Sequence, residues 1–293
     1  MKLKIILSRK GFDLSDGGIP SPIFDDELLS LPIPEEIDFR TNNSNRPKYT
    51  DLSYRGKSYK EIIENLGSAR CYQKITNGYN EYCHLDPDLS NRLSHADWKP
   101  AFGQCGSAEG HLRNHNIDKG DLFLFYGWFR QAQFNTLKFD SKAQDLHVIF
   151  GYMQIGERWI LDDDKNSQQR AKIEYPLHPH TYKKQNGKNS LYIPTDKLTL
   201  ENFSKTGAKP GYGLLKYSRE RQLTMPNSNS RCHWDFGGFL QAFNVVDITY
   251  HNNQTYGMIN GIFCAAQRGQ EFIFEYDPSN VEMADWLSKV LYD

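Results

Sequence analysis

Two short motifs carry the side chains best suited to chemistry, His84-Leu85-Asp86 and His178-Pro179-His180. In extended backbone, residues two apart point to the same side. Asp86 precedes Pro87 and His178 precedes Pro179, and a residue before proline is steered towards extended conformations. Each motif therefore offers two convergent polar groups. Imidazoles with a carboxylate suit a divalent metal, or a general acid–base pair working near neutral pH. Acid–base work is the favoured expectation, with His84, Asp86, His178 and His180 as catalytic groups. No cysteine stands at ligand spacing and carboxylates are few, so no metal ligand is assigned. The plainer alternatives are a helix-capping turn, with Asp86 or Asp88 capping residues 89–93, and a rigid polar loop at the second motif.

A further group of polar residues opens the chain. The apolar run Leu3–Leu7 leads into Ser8-Arg9-Lys10-Gly11-Phe12-Asp13, then Gly17-Gly18-Ile19-Pro20-Ser21-Pro22, and closes with Leu31-Pro32-Ile33-Pro34. Loops held by a rigid scaffold are where binding and catalytic groups concentrate. The glycines allow positive φ and close backbone approach, and the prolines stiffen the return. Ser8, Arg9, Lys10 and the amides around Gly11 are expected to grip phosphate, with Asp13 beside them as a catalytic carboxylate. Gln104, in Phe102-Gly103-Gln104-Cys105-Gly106, could read a base edge with its amide. It is preferred over Cys105, a thiol near a helix start that could act as a nucleophile. Arg231 could hold a phosphate, and Trp234 or Trp128 could stack on a base. Against this, a tryptophan in a strand-rich chain is more often core.

The opening loop resembles the start of a family of bacterial proteins called nucleotide modification associated domain family 3. His84–Leu89, Phe102-Gly103-Gln104 with Gly106, Gly120–Phe125 and His178-Pro179-His180 are similar to that family as well. The resemblance spans most of the chain and implies hypermodification of DNA bases, with no settled mechanism. Lys119–Tyr126 followed by Val148–Gly156 resembles the central hairpin of PUA-like barrels, which bind RNA, modified bases or nucleotides. The two motifs could combine as a facial arrangement of two histidines and one carboxylate with open positions, as in non-haem iron oxygenases, whose usual first signature is His-x-Asp. The distal histidine of those enzymes, with an arginine about ten residues later, has no clear counterpart, since His251 and Arg268 are too far apart. There is no Walker loop, dinucleotide fingerprint, nucleophile elbow or deaminase zinc signature.

The elements that must position these groups are legible in part. Ser58 with Glu61 caps a helix whose Tyr59, Ile62, Ile63 and Leu66 form one apolar stripe ended by Gly67. Ser279 with Glu282 opens a last helix carrying Met283, Trp286, Leu287, Val290 and Leu291. Leu122–Phe129 reads as a strand covered on both faces. Further strands are expected at His147–Ile155, Arg158–Leu161, Leu191–Ile193, Met258–Cys264 and Glu271–Tyr276. Arg40–Arg55 and Lys183–Asn189 read as polar loops.

Strands outnumber helices without regular alternation. The expected fold class is α+β, with a curved mixed or antiparallel sheet, a PUA-like partial β-barrel among its forms, and flanking helices. The 293 residues suit a single elaborated domain, or two lobes at about 1–115 and 116–293. A net charge of −1 argues against coating duplex DNA by phosphate neutralisation and favours a small or locally gripped ligand. The five scattered cysteines and the lack of a leader or spanning pattern fit a cytoplasmic protein with no membrane partner. The expectation is an enzyme modifying a nucleotide or DNA base by group transfer, within a hypermodification pathway and beside other modification or defence proteins. The alternative is a non-catalytic PUA-like module that reads a modified base or nucleotide. No cofactor is specified.

Overall fold

The apolar run beginning at Leu122 becomes the middle of a sheet buried on both faces. A computed structural model describes residues 2–35, 46–75, 81–182, 187–200, 209–244, 246–251, 253–267 and 271–292. Asn42–Asn45, most of Lys183–Asn189 and Arg268 lie outside the described residues. The sheet has ten strands, and its main path runs Glu271–Glu275, Lys4–Arg9, Leu122–Gln133, Leu146–Ile160, Asn189–Pro194, Phe102–Cys105. Lys4–Arg9 pairs parallel with Leu122–Gln133, and the other neighbours on this path pair antiparallel. The fold is α+β with a large mixed sheet.

Alternation sorts the side chains into two cores. Ile5, Leu7, Leu122, Leu124, Tyr126, Phe272 and Phe274 face one side. There the last helix, Val281–Tyr292, buries Met283, Trp286, Leu287, Val290 and Leu291. Ile6, Phe123, Phe125, Phe129 and Ile273 face the other side with Phe102 and Leu112. Each large apolar side chain fully buried in this way contributes about 1.5–3 kcal/mol. With both faces covered, the strand needs no polar side, which is why Leu122–Phe129 reads as one apolar run.

The sheet curls, bringing side chains of its two end strands together: Gln104 Nε2 donates to Glu271 Oε1. Among the described residues its strand order keeps two ends, so the sheet does not close into a barrel there.

Several local expectations are refined. The first strand continues through Arg9, beyond the boundary expected at Leu7. His147–Ile155 and Arg158–Leu161 belong to one long strand, Leu146–Ile160, while Met258–Cys264 splits into a hairpin of Gly257–Ile259 and Ile262–Cys264. Ser58 caps Tyr59–Gly67 by accepting from the Glu61 amide at 3.1 Å. The last helix is capped by Asn280, whose Oδ1 accepts from Met283 N at 3.0 Å, because Ser279 is turned back onto Asp277. No helix follows Asp86 and Asp88, which rules out the capping alternative for that motif.

Candidate functional site

His84 and Asp86 sit on irregular backbone beneath the Phe102–Cys105 strand, with buried Leu85 between them packed into a separate apolar cluster. His178 and His180 arrive differently from the extended segment expected. Pro179 opens a single helical turn, Pro179–Tyr182, since its fixed φ is pre-organised for a first helical position. Thr181 Oγ1 ties the turn to the Tyr175 and His178 carbonyls at 2.7 and 2.8 Å.

Both rings nevertheless end on Asp86. His178 Nε2 lies 3.3 Å from Asp86 Oδ1, His180 Nε2 3.5 Å from Oδ2, and His84 Nε2 3.8 Å from Oδ2. The site is thus four side chains from two segments far apart in sequence, assembled by tertiary packing.

Neighbours fix the orientation of each group. Gly103 N donates to Asp86 Oδ1 at 3.0 Å. That approach requires glycine, because a Cβ at position 103 would stand 2.3 Å from the His180 ring. His180 Nδ1 meets Asn189 Oδ1 at 2.7 Å, while Asn189 Nδ2 donates to the His180 carbonyl at 3.2 Å. His178 Nδ1 accepts from the His180 amide at 3.3 Å. Its Nε2 is buried and has no aligned hydrogen-bond partner among the described residues.

Burial alone would raise the Asp86 pKa, but the adjoining His178 and His84 imidazoles outweigh it and hold the carboxyl well below its usual range. Asp86 is therefore ionised. Burial pushes His180 down to about 3 against the pull of Asp86, with His84 and His178 adding to the depression. His180 is neutral at pH 7 and a weak base there, since a proton carrier works best with a pKa near the ambient pH. His84, with 19% of its side chain exposed, opens the cluster to solvent. Three donors, from His84, Asp86 and His180, lie within 4.8 Å of one another and could hold a metal ion.

The opening loop is divided by the sheet. Because the strand extends through Arg9, Ser8 and Lys10 point inward while Arg9 points to the opposite face. Glu271 Oε1 accepts from Ser8 Oγ at 3.0 Å, from Lys10 Nζ at 3.1 Å and from Gln104. Lys10 also lies 4.6 Å above the Phe102 ring. Arg9 instead lines a cavity of about 590 Å³ with Asp13, His147, Arg231 and Gln267. Arg9 donates to the Gln267 carbonyl at 2.9 Å, and Arg231 lies 4.4 Å over Trp128. Asp13 accepts from the Ser15 and Asp16 amides, which makes it the anchor of a turn in that wall. Gly11 borders a different cavity of about 330 Å³, shared with Asp86, Tyr59, Arg92 and Phe150.

Trp234 is 1% exposed and donates to His147 Nδ1 at 3.1 Å, so it is core. Cys105 precedes the helix Gly106–Asn114 and makes no side-chain cap. His251 has both ring nitrogens engaged, by the Thr249 carbonyl and the Ala266 amide.

Glu271, Asn189 and Gly103 were not singled out from the sequence. A lone glutamate opening a strand carries no local signal for a partner about 260 positions away. The Gly103 signal lay in the motif itself, as a glycine beside the favoured Gln104.

No curated protein and no solved structure matches the chain. One family model, described as nucleotide modification associated domain 3, matches residues 4–275, a span that contains the His–Asp cluster, the Glu271 cluster and the described walls of both cavities. The chain belongs to the nucleotide modification associated domain 3 family.

Proposed function

We propose that this protein is an enzyme that modifies a nucleotide or a DNA base, by group transfer onto the base, with its chemistry at His84, Asp86, His178 and His180. The observation that carries the reading is the convergence of these four side chains in one buried cluster beside a cavity of about 330 Å³. A non-catalytic reader has no need for an ionised carboxylate ringed by three imidazoles, whereas proton transfer or metal chemistry does.

The base would enter the cavity bordered by Asp86, Tyr59 and Phe150. Arg9 and Arg231 line the larger cavity on the other face of the sheet, so a phosphate held there would belong to a different nucleotide unit from the base beside Asp86. Lys10, Ser8 and Gln104 act here as the scaffold that fixes the strand carrying Gly103. Cys71, Cys83, Cys232 and Cys264 are free thiols, which fits a reducing, cytoplasmic setting. Among the described residues no helix is long and apolar enough to cross a membrane. Other modification or defence proteins would supply or consume the modified base.

Mass spectrometry of nucleosides from cells with and without the protein tests the reading. The expected result is a mass difference on one nucleoside, abolished by His84→Ala. Tight binding of a modified nucleotide with no mass difference in any nucleoside pool would replace the enzyme with a reader.

A further inference from the structure

The hydrogen bonding around His180 aims its Nε2 at Asp86. Asn189 uses its Nδ2 on the His180 carbonyl and presents Oδ1, an acceptor, to His180 Nδ1 at 2.7 Å. Nδ1 is then the donor to Asn189, which leaves Nε2 as the nitrogen able to offer a lone pair to a metal. That lone pair faces Asp86 Oδ2 at 3.5 Å. An imidazole nitrogen and a carboxylate oxygen at this separation can share one metal ion.

The second oxygen of Asp86 is handled by the protein. Oδ1 accepts from Gly103 N at 3.0 Å and lies 3.3 Å from His178 Nε2. The His178 Nδ1 lone pair is taken by the His180 amide, so in the neutral ring the proton sits on Nε2, beside Oδ1. Oδ2 is left for the third centre. His84 Nε2 approaches that same oxygen to 3.8 Å from the solvent side.

We propose that His84, Asp86 and His180 hold one divalent first-row transition-metal ion, with His178, Gly103 and Asn189 as the groups that orient the ligands. Ligand atoms about 2.1 Å from a tetrahedral ion stand about 3.4 Å from one another, close to the 3.5 and 3.8 Å separations at Asp86 Oδ2. Two imidazoles and one carboxylate without thiolate suit zinc, iron, manganese or cobalt in their divalent states, and do not suit copper(I) or an iron–sulfur cluster. Three protein ligands leave open positions for water or substrate, and His84 provides the path to solvent. Asn189 acts on the metal through His180, the usual arrangement for a ligating histidine.

This site coincides with the proposed centre of modification and deepens that reading, yet its occupancy is measurable without any substrate. Untagged full-length protein, stripped with chelator and dialysed, is titrated with Co²⁺ alone by visible absorption and with Zn²⁺ alone by calorimetry. One ion per chain is expected, with a cobalt d–d band. His84→Ala, at a partly exposed position, should stay folded by circular dichroism and lose the stoichiometric site. Asn189→Ala should weaken binding about 10–100-fold, the range for outer groups that orient a ligand. Lys2→Ala, at an exposed position outside both cavities, should bind as wild type does.

Failure of the wild-type protein to bind near one equivalent, or unchanged binding in folded His84→Ala, overturns the metal site. Stoichiometric metal without any nucleoside mass difference would instead overturn the enzyme reading and leave the metal site standing.

Discussion

Replacing Lys10 separates a scaffold role from a phosphate-gripping one. Its Nζ donates to Glu271 Oε1, and the two side chains are only 10% and 1% exposed. In Lys10→Met the apolar stem is kept, but Glu271 loses its cation and retains only the neutral donors Ser8 and Gln104. Breaking a buried pair from one side typically costs about 3–5 kcal/mol. Proton uptake sets a ceiling, because the stranded carboxylate can be neutralised instead. From an ordinary glutamate value of about 4.3, neutralisation at pH 7 costs about 3.7 kcal/mol, and at pH 5.5 about 1.6 kcal/mol. Urea unfolding should therefore show Lys10→Met destabilised by roughly 3–4 kcal/mol at pH 7 and by less than about 2 kcal/mol at pH 5.5. The double variant Lys10→Met with Glu271→Gln should recover most of the loss at pH 7, since no buried charge remains. A Lys10→Met protein within about 0.5 kcal/mol of wild type, or a deficit that does not shrink on acidification, would refute the buried-pair account and return Lys10 to the list of ligand-binding residues.

Gly103→Ala should lower stability by about 1–3 kcal/mol and disorganise the His–Asp cluster, because the added methyl would stand 2.3 Å from the His180 ring; thermal unfolding and nucleoside mass spectrometry check the two parts. His147 is buried and held neutral, first by burial and then by the charges of Arg231 and Arg9. Its folded pKa is below the unfolded value of about 6.5, so stability is full above that pH and falls as the pH drops. Its contribution at pH 5 is about 2 kcal/mol, and His147→Gln should flatten the pH 7-to-5 stability profile by that amount. Arg9→Ala with Arg231→Ala should weaken nucleotide binding, measured by calorimetry, at least tenfold with a change of under about 1 kcal/mol in stability; unchanged affinity would remove the larger cavity from substrate binding.

Local grammar was legible without coordinates. The Ser58 cap, the stripe on the last helix and the doubly buried strand at Leu122 depend on neighbours within a few positions, and each appears in the structure. The two histidine motifs stood out for the same reason: their residue types and spacing are short-range facts. Their combination could be raised from residue types alone, but the centring of all three rings on Asp86 was not legible, because it depends on a helical turn and an irregular segment meeting across the fold. The division of Arg9 from Lys10 followed from where the strand ends, and two residues of strand length decide which face a side chain meets. Glu271 gave no signal at all, since its partners lie at the other end of the chain and in the opposite edge strand. The sequence by itself determined which groups are available and, where the local pattern is strong, as at Tyr59–Gly67, Leu122–Phe129 and the last helix, which segments are helical or extended. Only the tertiary structure decided which groups meet, because side-chain direction, burial and charge pairing are set by packing between elements distant in the chain.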